Sequence, residues 1–238
     1  PGPARRRMQE RPRGRCRART TAELRAGGTV GERAALRRCH REPGGTATEA
    51  GRAQTAVGAP GQCASSGEGS ATVGQTGHMR IYLPATAAHL RASVLGSSHQ
   101  PLTAHAATPA LAQALPEEDE EGLEVSASLC AADASVVLLA EPEAAGLADR
   151  RIVIAADVDA ENVRELPVEG DVLPGTIEVT GEISWEDVAA LLVDELEAQD
   201  DVRAARLGDE DAFERAAEVD LLWYDVTERE ALAESLGV

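Results

Sequence analysis

The segment RRIVIAADVD, residues 150–159, decides the fold of this protein. It is a continuous run of mainly β-branched residues with charge at its two ends, a pattern typical of a strand covered on both faces. A strand buried in this way needs other secondary structure packed on each side of its sheet. The sequence therefore predicts an α/β fold of the mixed α+β kind, in which a mixed sheet is covered by helices.

Strands and helices are predicted to alternate around this segment. Alternating apolar residues and strand-like composition predict strands over residues 80–85, 102–109, 175–183 and 221–228. Helical spacing predicts a short helix after Thr86, another after Thr108 and Pro109, and a helix of about five turns that ends at Ala140. Further helices are predicted at residues 208–222 and 227–236, the last beginning at a Thr227 cap, and residues 201–207 either extend the segment before them as a helix or start a new helix.

The segment SWEDVAALLVDELEAQ, residues 184–199, is predicted to be a helix. Ser184 and Asp187 form a capping-box pattern, and apolar residues follow at helical period as far as Leu196. β-branched residues are few here, which agrees with a helix rather than a strand.

Two parts of opposite charge meet near Met79. Residues 1–78 contain 14 Arg and 6 Glu, a net charge of +8, whereas residues 79–238 contain 9 Arg and 35 Asp or Glu, a net charge of −26. All five aromatic residues lie in the second part. Because the first part has too few apolar residues to offset the entropy of ordering, we expect residues 1–78 to be disordered and residues 79–238 to form a single acidic domain.

Three interpretations of residues 1–78 remain open. The favoured one is upstream sequence added by a misplaced start, because Pro1 is not an initiator, Met79 opens the first strand-like run and the composition fits GC-rich coding. The second is a basic arm that binds nucleic acid or folds back on the acidic domain. The third is an organelle transit peptide.

The composition also excludes several classes of function. The chain has no Lys, which rules out a P-loop lysine, a pyridoxal Schiff base and a lysine general base. The four Cys form no close pairs, and His89, His99 and His105 are scattered, so no zinc motif is present. The acidity of residues 79–238 disfavours nucleic acid and anionic membranes. Without an apolar run of bilayer length or a signal peptide, we expect a cytoplasmic protein.

Carboxylates at the ends of apolar runs suggest a metal site. Asp157 and Asp159 follow IVIAA, Asp194 follows LLV, and Asp225 follows LLWY. If these runs are parallel strands, their carboxyl ends meet at one edge of the sheet. Such carboxylates could hold Mg²⁺ for phosphoryl transfer or hydrolysis, although helix capping is the simpler role. No other cofactor is indicated, and whether the protein is an enzyme stays open.

Two adjacent aromatic residues suggest a non-enzymatic alternative. Trp223 and Tyr224 face opposite sides of a strand, so one ring can be exposed among Glu218, Asp220 and Asp225. An exposed aromatic in a polar rim resembles the anchor of a protein interface, whereas burial of both rings would make them core residues. The sequence favours a binding or regulatory module, with a possible protein partner at the acidic surface, over catalysis.

Several segments resemble a known family. MRIYLPAT, RRIVIAADV, GDEDA and DLLWYDVTE occur in the order seen in small acidic proteins of unknown function from high-GC Gram-positive bacteria. The resemblance covers residues 79–238, and members begin at the methionine equivalent to Met79. It implies a domain boundary there but no activity. Members are more strand-like around AALLVDE, with a histidine where Leu192 stands, so helix and strand both remain possible over residues 188–195.

Overall fold

Seven strands form a single sheet in residues 77–238, the part of the chain that the computed structural model describes. They are β1 (His78–Ala85), β2 (Leu95–His105), β3 (Ile152–Asp159), β4 (Val163–Glu165), β5 (Thr176–Ile183), β6 (Val188–Asp194) and β7 (Leu221–Tyr224). Their order across the sheet is β4-β5-β2-β1-β3-β6-β7. The α+β class is confirmed, but every strand pair is antiparallel, so the sheet is not mixed.

Five α-helices accompany the sheet in the same residues. They are α1 (Pro109–Ala114), α2 (Glu120–Ala140), α3 (Gln199–Arg206), α4 (Glu210–Ala216) and α5 (Arg229–Ser235). The cap at Thr108 is confirmed, because its side chain accepts a hydrogen bond from the Leu111 N–H. The predicted Thr227 cap is wrong: Asp225 caps a 3-10 turn that precedes α5. After Thr86 the chain forms only a 3-10 turn before β2 begins.

The short helices α3 and α4 explain why the sheet is antiparallel at β6 and β7. A parallel neighbour requires a crossover that returns the chain to the end of the sheet where the first strand began. Two consecutive helices, with a turn between them, instead bring the chain back to the end where β6 stopped. Strand β7 therefore starts beside Asp194, which pairs with Leu221.

Strand β3 is buried on both faces, as its sequence predicts. One face of the strand lies in the larger apolar cluster with residues of β1, β5, β6 and α5; its residues there are Ile152, Ile154, Ala156 and Val158. The opposite face, with Val153 and Ala155, packs beneath three alanines of α2, namely Ala127, Ala131 and Ala132. Small side chains on α2 allow the helix to lie close to the sheet.

Helix α2 is itself covered on two sides. Its alanines contact the sheet, while Val136 packs with Phe213 of α4 and Leu139 packs with Val202 of α3. Contrary to the expectation from the sequence, this described helix is long and apolar enough by length and composition to cross a membrane, with a mean hydropathy of 1.7 over 18 residues. Core helices of soluble proteins meet the same criteria, and 56% of that stretch is buried inside the protein.

Residues Val188–Asp194 form strand β6, so the helix predicted over residues 184–199 is wrong there. The apolar run pairs with β3 on one side and β7 on the other. Its side chains are buried on both faces, with Leu191 in the larger cluster and Leu192 beneath α2. A strand covered on both faces shows no alternation, and its apolar spacing is then indistinguishable from that of a helix.

Strand pairing begins one residue before Met79. His78 pairs with Asp159 on β3, and the Gly77 carbonyl accepts a hydrogen bond from the Ala160 N–H. The lower boundary of the domain therefore lies at residue 77 or before. Apart from residues 77 and 78, the predicted disorder of residues 1–78 concerns residues outside the described part of the chain.

A buried ion pair joins the ends of β3 and β6. Arg151 and Asp194 are both inaccessible to solvent, and two guanidinium nitrogens of Arg151 donate to the Asp194 carboxylate, at 2.6 Å from Nη2 and 2.9 Å from Nε. The Arg151 backbone N–H donates to the same carboxylate at 2.8 Å. Arg151 Nη1 lies 3.7 Å from Asp133 of α2, so the cluster also connects the helix to the sheet.

Ser135 of α2 forms a second polar connection to the sheet. Its hydroxyl accepts a hydrogen bond from the Ile152 N–H at 3.1 Å and donates one to the Ala85 carbonyl at 2.8 Å. Ala85 and Ile152 are partners at the end of the β1–β3 ladder. The serine thus inserts between the two strands and satisfies both backbone groups, which are buried.

We expect removal of one partner of the buried pair to be strongly destabilising. Asp194→Ala leaves the Arg151 guanidinium buried without its main counter-charge, and the free energy of unfolding should fall by about 3–5 kcal/mol. Urea denaturation measures this change. The exposed pair Arg164–Glu178 provides the control, because Arg164→Ala should cost at most about 1 kcal/mol. Equal losses in the two variants would contradict a structural role for the buried pair.

Candidate functional site

Strand β7 places its two aromatic residues in different environments. It is the last strand of the sheet, and Trp223 and Tyr224 point to opposite faces. The Tyr224 ring is buried in the larger apolar cluster, whereas 39% of Trp223 is exposed. The other tryptophan, Trp185, is part of the fold, because its indole N–H donates to the Ala92 carbonyl and its ring lies 4.3 Å from the Arg229 guanidinium.

The outer side of β7 presents backbone groups that do not pair with β6. The Asp194 N–H donates to the Arg151 carbonyl, so the backbone groups of Asp194 point toward β3. The backbone groups of the preceding residue, Val193, therefore point toward β7. Leu222 is the partner of Val193, so the backbone groups of Leu222 point toward β6, as do those of Tyr224. Strand alternation then directs the N–H and C=O groups of Leu221 and Trp223 away from the sheet. We call this open side of Leu221–Tyr224 the β7 edge.

The surroundings of the β7 edge combine negative charge with a second apolar side chain. Residues 217–230 contain five carboxylates and one arginine. Leu196, which is 69% exposed, follows Glu195, whose N–H donates to the Asp220 carbonyl immediately before β7. In the described part of the chain, β6 is the one element that packs extensively against β7. The edge is therefore acidic and partly apolar, and Trp223 is its exposed side chain.

The four carboxylates predicted to bind Mg²⁺ do not come together. Because β3 and β6 are antiparallel, Asp157 and Asp159 lie at one end of the sheet and Asp194 lies at the other. Asp225 lies at the same end as Asp157 but two strands away, about 10 Å. In residues 77–238, no three His, Cys, Asp or Glu side chains are grouped so that they could hold a metal ion.

Each of these carboxylates has a structural partner in the fold. Asp194 pairs with Arg151, as described above. Arg80 binds Asp157 through two nitrogens, at 2.6 and 2.9 Å, and this guanidinium lowers the pKa of the Asp157 carboxyl. Asp159 lies 3.5 Å from the His78 ring. Asp225 accepts hydrogen bonds from the Thr227 side chain and N–H, which lower its pKa.

Two of the carboxylates line a small polar cleft. Its volume is about 120 Å³, and it lies between β3 and β5 at the end of the sheet where the described chain begins. Its polar lining residues are His78, Asp157, Asp159, Asn162, Thr180, Glu182 and Asp187. The cleft is too small for a drug-sized ligand, which needs about 300 Å³ or more.

Comparison with known proteins gives the family of the chain. Residues 79–233 match the model of a family of unknown function, DUF6912. The protein belongs to this family. No curated protein and no solved structure matches the chain. The DUF6912 match starts at Met79, the boundary expected from the sequence, and it includes the β7 edge.

A buried histidine also occurs in this DUF6912 domain. His105 lies on β2 opposite Tyr82 of β1, is 4% exposed, and its Nδ1 has no hydrogen-bond partner in the described residues. Burial lowers the pKa of His105 to about 4. On the same face of the sheet, the Tyr82 hydroxyl donates to Glu124 of α2 at 3.2 Å, and burial raises the pKa of Tyr82. The sequence shows His105 in a strand but not which face of the strand is covered.

The DUF6912 domain should lose stability as His105 becomes protonated in the unfolded chain. The pKa of His105 is about 4 when folded and about 6.5 when unfolded, so its contribution is complete above pH 6.5 and falls at lower pH. Between pH 8 and pH 5 the loss should be about 2 kcal/mol. Urea denaturation of the wild type and of His105→Asn measures it. The difference between the unfolding free energies of the two proteins at each pH isolates His105, because the other histidines contribute equally to both. Identical pH dependence in the two proteins would contradict the prediction.

Proposed function

We propose that the domain is a binding module, not an enzyme, and that it recognises a protein partner at the β7 edge. The observation that supports this function is the exposure of Trp223 on an edge strand whose next residue, Tyr224, is buried. The chain has only five aromatic residues, so one tryptophan left 39% exposed is a large share of its aromatic surface. Interfaces are enriched in tryptophan at the positions that contribute most to affinity.

The unpaired backbone groups of β7 favour a partner that binds as an extended strand. An edge strand with unpaired N–H and C=O groups accepts an extended segment of another chain as an additional strand. Leu221 and Trp223 together offer four such groups, and the Trp223 side chain stands beside them. Backbone pairing would provide affinity, and the indole would select an apolar side chain of the partner.

The charge around the β7 edge defines the class of partner. Five carboxylates and one arginine lie in residues 217–230, within a domain of net charge −26. Such a surface attracts a basic segment and repels an acidic one. A second copy of the domain would bring two acidic edges together, so a partner rich in arginine or lysine is favoured. Because these charges are near the surface, added salt should weaken the complex.

A binding role fits the carboxylates better than metal-dependent catalysis does. Asp194 is neutralised by Arg151, and Asp157 is held by Arg80. Asp225 caps a turn, and the antiparallel topology separates it from Asp194. These acids stabilise the fold, and the part of the chain that the structure describes has no cluster of His, Cys, Asp or Glu side chains that could hold a metal ion.

Trp223→Ala should weaken the binding of a basic extended peptide. A fluorescent peptide of alternating arginine and valine, RVRVRVR, is titrated with the full chain, and anisotropy measures the Kd. Removal of the indole should raise the Kd about 30-fold, the effect of losing an interface anchor of about 2 kcal/mol.

Leu207→Ala is the matched control for this experiment. Leu207 is 82% exposed but lies between α3 and α4, so its removal should leave the Kd unchanged. The acidic counterpart peptide EVEVEVE should not bind, and raising the salt concentration from 50 to 300 mM should weaken RVRVRVR. Equal affinity of the wild type and Trp223→Ala for RVRVRVR would refute the proposed site.

A further inference from the structure

Hydrogen bonds inside the domain close the β7 edge before the strand begins. The Val219 N–H donates to the Ala216 carbonyl at 3.2 Å, and the Val219 carbonyl accepts from Arg151 Nη2 at 3.1 Å. Both backbone groups of Val219 are therefore already hydrogen-bonded within the domain. Leu221, two residues further along, is where the outward backbone groups of the strand become open to a partner.

The edge is closed again directly after the strand. The Asp225 N–H donates to the Glu228 carboxylate at 3.1 Å, and the Asp225 carbonyl accepts from the Glu228 N–H at 2.9 Å. The Asp225 backbone is still extended, with φ −70° and ψ 148°, so strand alternation places its side chain on the same face as Trp223. Asp225 therefore meets a partner strand through its side chain, whereas Leu221 and Trp223 offer their backbone groups.

An edge with only two open residues favours an antiparallel partner. In an antiparallel ladder, the residue opposite Leu221 and the residue opposite Trp223 each exchange both hydrogen bonds, so a very short segment satisfies every open group. The hydrogen bonds of a parallel ladder are slanted, so the same groups would need a partner that extends past both ends of the edge. There the chain joins α4 on one side and forms a 3-10 turn on the other, and the ladder cannot continue.

Asp225 places a fixed negative charge beside the indole of Trp223. Its carboxylate accepts hydrogen bonds from the Thr227 N–H at 2.9 Å and from the Thr227 hydroxyl at 2.6 Å. These bonds lower the pKa of the Asp225 carboxyl, so the group stays ionised at neutral pH. They also restrain the side chain, which keeps the charge at the end of the edge. A basic side chain directly opposite would form a favourable cross-strand pair.

We propose that Asp225 determines which basic segments bind at the β7 edge. The partner strand runs antiparallel to β7, with an apolar residue opposite Trp223 and an arginine or lysine, two residues earlier in the partner, opposite Asp225. The residue two positions after the apolar one lies opposite Leu221, which is buried beneath α2, and is apolar as well. The inference rests on the proposed function, and it gives the partner a sequence pattern and a direction.

Two peptides of identical composition, both acetylated and amidated, test this pattern. RRRVRVR places its central valine opposite Trp223, an arginine opposite Asp225 and its other valine opposite Leu221. The reversed sequence, RVRVRRR, places a valine opposite Asp225 in the same antiparallel register. The two peptides have the same charge, so general attraction to the acidic domain is equal. Fluorescence anisotropy with the full chain should give a Kd about threefold lower for RRRVRVR, the effect of one cross-strand charge pair.

Asp225→Asn separates the charge of this residue from its role as a cap. Asparagine caps as well as aspartate, so the turn is kept while the charge is lost, and the two peptides should then bind with equal Kd. The matched control is Asp209→Asn. Asp209 caps α4 by accepting from the Ala212 N–H, so this variant loses the same charge at a cap outside β7. It should keep the threefold preference for RRRVRVR.

The results distinguish failure of this inference from failure of the proposed function. Equal Kd values of the two peptides for the wild type, or a preference for RVRVRRR, would overturn the pattern and direction. If both peptides still bound more weakly to Trp223→Ala, the proposed binding site would stay in place. A preference for RRRVRVR that persists in Asp225→Asn would overturn the role of Asp225. Failure of the wild type to bind either peptide would overturn the proposed function and this inference together.

Discussion

Burial of strand β3 on both faces is the constraint on which the rest of the structure depends. Its side chains have almost no contact with water, so each face of the sheet must be covered by other apolar surface. Helix α2 covers one face with alanines, and residues of β1, β5, β6 and α5 surround the other. Both edges of β3 are paired as well, which leaves its backbone no solvent partner and fixes its neighbours β1 and β6.

The polar groups at the end of this buried strand specify how the layers meet. A close-packed apolar interface fixes distance better than it fixes register, since small side chains can slide past one another. Arg151 bridges Asp194 of β6 and Asp133 of α2, and Ser135 joins α2 to the ends of β1 and β3. These groups are buried, so any other alignment would leave charges or backbone groups unpaired.

The candidate site lies at the β7 edge, beyond the layers that cover β3. Strand β7 completes the sheet next to β6, and no described strand follows it, so the side chains and backbone on its outer side remain open. Tyr224 points into the core and Trp223 points to the other face at the margin of the layer beneath α2. A short, acidic edge resists pairing with another copy of itself, because like charges repel. The proposed binding of a basic extended partner rests on the same features.

The sequence alone determined the α+β class, the five-turn helix ending at Ala140 and strand β3, because hydrophobic pattern is a local property. It also placed Trp223 and Tyr224 on opposite faces of one strand. Tertiary structure decided that residues Val188–Asp194 form a strand, because only pairing with β3 and β7 overrides their helical spacing. It also separated Asp194 from Asp157 and left Trp223 exposed, since strand direction and position in a sheet depend on contacts between residues distant in sequence.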